Sequence, residues 1–408
     1  MTLDYKKMFT VGLGFMVITL FWSVYNSYLP LMLRDLLIES RFTSLIVGAI
    51  MTLDNIAAIT LQPYFGARSD LTWNKYGRRM PYILVGMPIA AAFFLLIPVV
   101  RTNLTLLVGV VLVANVSMSI FRAPTVALMP DMTPSPLRSK ANGVINFMGG
   151  LGAIIAYFVL APLYDKSVYW PFMATGLAMF GVVLLMKRFV RETGSVENRT
   201  EDAVRVGIIK SLRKVLSDPD KSTRNILLAI FFWFIGWSAV DAFFTTYGVE
   251  VWGLEPGRAA FYLGFFSISF LVFAIPSGFI ASRFGRRRTI TVGVVGMGLV
   301  LASFTFVEPL LLVAGLLVIG GAFWALVNIN SYPMVADMAA EGQIGTYTGL
   351  YYFFSSLAAI LAPPVAGFFM DILGLGALFA FSTAAFVVAY MLMNKVHSGE
   401  VEKSGAVS

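Results

Sequence analysis

The stretch Gln62-Pro63-Tyr64-Phe65-Gly66-Ala67-Arg68-Ser69-Asp70, closed a few residues later by Gly77-Arg78-Arg79-Met80-Pro81, joins two long apolar runs, 44–65 and 81–100. A short charged joint between two such runs is the pattern of a chain that crosses a bilayer and turns back. A helix needs about 20 apolar residues to cross. Outward from this joint the pattern repeats along the whole chain. Runs of that kind are 9–33, 44–65, 81–100, 104–129, 141–163, 168–186, 226–249, 259–280, 289–307, 311–335, 346–369 and 374–394. The expected fold is an all-α integral membrane protein with twelve transmembrane helices.

Composition agrees. The 408 residues are 58% hydrophobic and only 13% charged, against roughly a quarter charged in a soluble domain. That much apolar surface cannot be buried inside a soluble core, so lipid must cover part of it. There is no Cys, and the single His is His397 near the end of the chain. Thiol chemistry, Cys- or His-ligated metals and a buried His proton relay are therefore excluded, and no cofactor or metal is expected. Met1 to Lys7 lead straight into the first run, which is longer than the apolar part of a signal peptide and has no cleavage pattern, so it reads as the first span.

Assigning the joints alternately to two sides puts most of the 30 basic residues on one of them. That side holds Lys6, Lys7, Arg68, Lys75, Arg78, Arg79, Arg138, Lys140, the basic residues between Lys187 and Arg224, Arg283, Arg286, Arg287, Arg288, Lys395 and Lys403. The other holds Arg34, Arg41, Arg101, Lys166 and Arg258. The positive-inside rule then places both termini in the cytoplasm, in the plasma or inner membrane. The net charge of +8 is thus a topology signal and not a sign of nucleic-acid binding. Residues 191–224 form the widest gap. Val204, Ile208, Leu212 and Leu216 recur there every fourth residue. They fit either an amphipathic helix on the inner surface or a solvated linker. The expected organisation is a first six-helix half (1–190), a cytoplasmic central loop (191–224), a second six-helix half (225–395) and a cytoplasmic tail (396–408).

The halves echo one another. Asp131 and Asp337 close the fourth and tenth runs, 206 residues apart. At the same offset Leu151-Gly-Ala-Ile-Ile-Ala156 matches Leu357-Ala-Ala-Ile-Leu-Ala362, and Phe147 matches Phe353. The Gly66, Asp70, Gly77, Arg78, Arg79 joint is answered by Gly278, Ser282, Gly285, Arg286, Arg287.

A Gly, an acid four residues on, then Gly-Arg-Arg between the second and third spans resembles the major facilitator proteins. The longer form from Gln62 to Pro81, with Tyr247-Gly-Val-Glu250-Val-Trp252-Gly253, resembles their sucrose-transporter branch. That branch includes the proton-associated sugar transporters and lies near the glycoside–pentoside–hexuronide:cation symporters. The resemblance implies the major facilitator fold, with two six-helix halves rocking about a midplane site, and a protein that is not an enzyme. It also implies a monomer whose partners are the bilayer and a small-molecule substrate, expected to be a sugar. Two positions depart from the pattern. The third Arg of Gly-Arg-Arg-Arg-Pro is Met80, and the Arg of the fourth helix is Val126, with Arg122 about one turn earlier. The charged joints, with Asp131, Arg138 and Asp337, are expected to form a cytoplasmic gate of charge-assisted hydrogen bonds that hold in one conformation and break in another. The alternative is a fixed topology anchor.

Three ionisable residues lie well inside spans: Asp54, Arg122 and Asp241. Charges at that depth are costly unless they face protein or water, so function is the default reading. A carboxyl there can take up and release a proton, which makes Asp54 and Asp241 the candidates for proton coupling. Carboxylate and carbonyl oxygens also suit Na⁺, so either ion remains open. Arg122 stays charged. It is free to bond sugar hydroxyls or pair with one of the acids. In the family the first, fourth, seventh and tenth helices line the cavity. Here they carry Tyr25, Asn26, Arg122, Trp237, Asp241, Trp324, Asn328 and Asn330: rings to stack on sugar C–H faces, amides and charges to bond hydroxyls. The function this predicts is proton-coupled symport of a sugar or glycoside. The alternatives are proton-coupled export of drugs or other amphipathic metabolites, or a sensor that transports nothing.

Overall fold

The computed structural model describes residues 4–134, 137–192, 221–307, 309–339 and 344–397. They form helices almost throughout: α1 (Tyr5–Leu37), α2 (Thr43–Met51), α3 (Leu53–Leu71), α4 (Met80–Leu96), α5 (Leu104–Asp131), α6 (Arg138–Ile154), a π-helical turn (Ile155–Leu160), α7 (Ala161–Tyr164), α8 (Tyr169–Phe189), α9 (Ser222–Glu250), α10 (Pro256–Phe284), α11 (Arg286–Phe304), α12 (Leu310–Asp337), α13 (Ile344–Leu373) and α14 (Ala377–Met393). α2 with α3 makes the second span. α6, the π turn and α7 together make the fifth. Every expected apolar run is a helix, and the fold is the twelve-span arrangement anticipated. Among the described residues nine helices are long and apolar enough to cross a membrane, and α4 and α14 are shorter apolar helices. No strand is present among them.

Local chemistry sets the ends and breaks. The Asp4 carboxylate accepts from the Lys7 N–H at 3.0 Å, and the Asn103 side chain accepts from the Leu106 N–H at 3.0 Å. Each satisfies a donor that the first turn leaves unpaired. The second span breaks at Thr52, which puts Asp54 in the first turn of α3. The π turn comes just before Pro162, whose ring cannot continue the regular ladder. Most helices run a few residues past their apolar stretches, as at α1 and α10, whereas the third span ends at Leu96, short of the expected residue 100.

Burial is that of a protein solvated by lipid. Leu311 (84% exposed), Ile275 and Phe279 lie open on their helices, which water would not tolerate in such number. The chain forms two compact units. Among the described residues the first comprises 4–192 with 244–264, and the second 221–243 with 265–397. The last turns of α9 and the first of α10 therefore belong with the N-terminal half. In the first unit Phe94 packs on Phe21 (4.2 Å between ring centres) and Phe172 (5.0 Å), tying α4 to α1 and α8. In the second, Phe304 stacks on Phe379 at 4.8 Å, tying α11 to α14. The expected surface helix of the central loop, Val204 to Leu216, and all but the start of the tail lie outside the described residues.

Candidate functional site

Three groups of polar side chains stand out: one amid the spans of the first unit, one in the second unit, and the charged joints.

In the first unit the site grows from α1 and α5. Trp22 and Tyr25 are three residues apart on α1. Asn115 and Arg122 are two turns apart on α5, so each pair shares a helix face. The Arg122 guanidinium sits over the Trp22 ring at 5.9 Å, a cation–π contact. Asn115 donates its amide N–H to the Tyr25 hydroxyl at 3.1 Å. Asp54, bonded by the Asn55 amide at 2.8 Å, lies within electrostatic reach of both Arg122 and Tyr25. Two buried polar atoms here have no partner among the described residues: the Trp22 indole N–H and the Asn115 Oδ1. A buried unpaired donor or acceptor carries a penalty of a few kcal/mol until something bonds it. Chemically the cluster offers fixed donors (Arg122, Trp22) and acceptors (Asp54, Asn115 Oδ1) beside aromatic faces. Asn26 is half-buried on the same helix. Trp22 and Asn115 were not anticipated from sequence, although their spacing from Tyr25 and Arg122 was there to be read.

In the second unit Trp237 stacks with Phe266 (4.5 Å, 18° between planes) and with Trp324 (4.9 Å, 22°). Phe234 meets Trp324 edge-on at 5.6 Å. The Asn330 amide bonds the carbonyls of Leu326 (2.9 Å) and Ser277 (3.5 Å), tying α12 to α10. The Asn328 carbonyl accepts from Ser331. Asn328 and Asp241 are both half-buried.

The joint after the second span is densely bonded. Arg79, 5% exposed, donates from Nε to Asp131 (2.8 Å) and from Nη1 to the Gly66 carbonyl (3.1 Å). It also bonds the Ser69 hydroxyl and Asp70. Arg78 grips Asp131 with Nε (3.1 Å) and Nη2 (2.6 Å). Arg138 caps the end of α5 through the carbonyls of Thr133 and Pro130, both at 3.3 Å. Glu192, which the sequence did not single out, accepts from the backbone N–H groups of Arg78 (3.0 Å), Arg79 (2.9 Å) and Met80 (2.8 Å). It thereby satisfies the start of α4 with a charge of the favoured sign. Gly77 makes room: its φ is +109°, and a Cβ there would lie 2.5 Å from the Glu192 carboxyl carbon. Glu192 is more than a hundred residues away in sequence, and no spacing points to it.

The counterpart in the second unit is sparser. Arg286 bonds Asp337 and the Pro333 carbonyl (3.3 Å), Arg287 bonds the Asn394 carbonyl (3.0 Å), and Gly285 takes φ +92°. Gly278 has open space where a Cβ would be. The structure therefore brings Asp131 together with Arg78 and Arg79, and Asp337 together with Arg286.

The Major Facilitator Superfamily profile matches residues 11–270 and 252–406, which together take in nearly the whole chain. The chain belongs to the Major Facilitator Superfamily. As such it is a multi-pass membrane protein and a secondary transporter of small molecules, not an enzyme. It is similar to the tetracycline resistance protein, class G, of Vibrio anguillarum, 26% identical over 346 residues, which are 82% of this chain and 83% of that one. It is also similar to the isoprimeverose transporter of Lactiplantibacillus pentosus, 23% identical, over 84% of this chain and 69% of that one. Among solved structures, a mutant of the nucleoside transporter NupG superposes with a TM-score of 0.77 over 95% of this chain and 100% of that one. At 14% identity this is a likeness of fold alone.

Proposed function

We propose that this transporter moves a hydroxyl-rich polar solute, a sugar or glycoside, in symport with protons by alternating access, with both termini in the cytoplasm. The observation that carries the reading is the polar cluster of α1, α3 and α5. Arg122 and the Trp22 N–H supply donors, and Asp54 and Asn115 Oδ1 supply acceptors. Two of these atoms are buried without a partner among the described residues. A carboxylate solute would satisfy the donors and leave the acceptors bare. A hydroxyl both donates and accepts, so a polyol suits both. Asp54 is the acid placed to exchange a proton next to Arg122. The sequence features of the sucrose-transporter branch and the likeness to the isoprimeverose transporter support the same reading. The likeness to a tetracycline resistance protein favours a second one, proton-coupled export of an amphipathic drug.

Purified protein in proteoliposomes with a pH-sensitive dye separates them. On adding a panel of mono- and disaccharides outside, one of them is expected to alkalinise the outer medium, and Asp54→Asn to abolish that signal. Uptake of a sugar with no pH change would remove the proton. Silence across the panel from folded protein, with proton-driven tetracycline movement, would replace the sugar reading with export.

A further inference from the structure

The end of the first unit opposite the Gly66–Arg79 joint is the end that the basic loops predict to face outside the cell. There the segment 244–264 is docked on the N-terminal half. Asp165, in the link between α7 and α8, accepts from the Gly257 N–H at 2.6 Å in the first turn of α10. The approach is so close that a Cβ on Gly257 would lie 2.2 Å from the Ala161 carbonyl oxygen. Beside it Phe158 meets Phe261 edge-on at 4.9 Å, and Arg34 at the end of α1 pairs with Glu250 at 3.1 Å.

Acids face acids across this joint. Asp165 faces Glu255, and Asp35 faces Glu250. The opposing cations are Arg34, already paired with Glu250, and Arg101, which acts on Asp35 and Tyr164. Arg258 gives Asp165 a backbone N–H, and Lys166 beside it is exposed. From α1, Tyr28 is 1% exposed and stacks on Tyr164 at 3.9 Å. Its hydroxyl has no partner among the described residues and lies within electrostatic reach of Asp165 and Tyr157.

We propose that Asp165 is a proton-binding site of this end, taking up a proton as 244–264 docks, so that acid on this face drives the end shut. Docking covers one side of the Asp165 carboxylate while its other side stays open to solvent for exchange. The burial pushes its carboxyl up from the usual value, the Gly257 N–H opposes this, Glu255 adds to it, and the Arg258 N–H again opposes. The sign follows from linkage. A group that holds its proton more tightly when docked favours docking in acid. The gain is complete below the ordinary carboxylate value of about 4 and fades as pH rises through the raised one. Protonation also removes the repulsion between Asp165 and Glu255 while leaving an oxygen for the Gly257 N–H. The inference concerns gating of this end and needs no substrate, so it stands or falls separately from the sugar reading.

The chain lacks Cys, so spin labels go directly on Trp170→Cys and Val251→Cys, both 47% exposed, one on each side of the joint. Their distance distribution is measured by double electron–electron resonance in nanodiscs from pH 8 to pH 5. The short-distance population is expected to grow as pH falls. Asp165→Asn, which keeps the acceptor but binds no proton, is expected to show the short distance at every pH. A flat response in the Cys pair alone, or an Asp165→Asn variant with the same pH response as its parent, would overturn the proposal. Should Asp165→Asn fail to fold, Glu255→Gln serves: it is expected to move the midpoint to lower pH, and an unmoved midpoint would also overturn it.

Discussion

The joint after the second span and the joint after the eighth carry the same Gly, Gly-Arg-Arg outline, yet they hold their arginines differently. Arg79 has an acceptor on each of its nitrogens: Asp131, the Gly66 carbonyl, Ser69 and Asp70. Among the described residues Arg286, 26% exposed at its side chain, bonds Asp337 and one carbonyl, and Arg287 bonds another. The acid position explains part of the difference, because Asp70 is answered by Ser282, whose hydroxyl turns back to the Phe279 carbonyl at 2.8 Å. Glu192 explains more, since it fixes the backbone that carries Arg78 and Arg79. A guanidinium taken out of solvent needs every donor matched, whereas one left partly in solvent can use water. The shared Gly-Arg-Arg outline thus carries a buried network in one unit and a half-exposed pair in the other.

The largest expected effect tests that contrast directly. Arg79→Ala leaves Asp131 to Arg78 alone and takes their donor from the Gly66 carbonyl, the buried Ser69 hydroxyl and Asp70, and is expected to cost about 3 kcal/mol. Arg286→Ala breaks an exposed pair and is expected to cost about 1 kcal/mol or less. Thermal unfolding of the two variants in detergent measures both, and equal losses would break the comparison. A middle-sized effect sharpens it. Gly77→Ala forces a Cβ into Glu192 at positive φ and is expected to cost about 1–3 kcal/mol. Glu192→Gln weakens the charge-assisted bonds to three N–H groups and is expected to cost about 1–2 kcal/mol. Because the two residues touch, the double variant should lose less than the separate losses added together. The smallest effect belongs to the second unit: Gly278→Ala enters open space within a helix and is expected to stay within about 0.5 kcal/mol of the parent.

The spans were legible because a bilayer demands about 20 apolar residues per crossing and helical backbone throughout, both of which are local properties of the chain. The repeat and the partners of the joint arginines were legible for a similar reason: Asp131 and Asp337 stand at equal offsets at the ends of their helices. Arg122 and Asp54 announced themselves by being charged amid apolar neighbours. What was not legible depended on contacts between distant segments. Trp22 and Asn115 are ordinary in a membrane helix until one helix is laid against the other. Trp237 and Trp324 looked available to a sugar ring, and only their packing shows them stacked on each other.

By itself, then, the sequence determined the class of solvent this protein lives in, its twelve helices, its two-fold repeat and the residue types able to carry transport. Solvent and periodicity act residue by residue, so composition and spacing report them. The tertiary structure alone decided that Glu192 closes the Gly77 joint, that Trp22 and Asn115 bury unpaired atoms beside Arg122, and that Asp165 reaches the first turn of α10. Each of these is a contact of a few ångströms between segments far apart in the chain, and only the packing of helices can bring such atoms within reach.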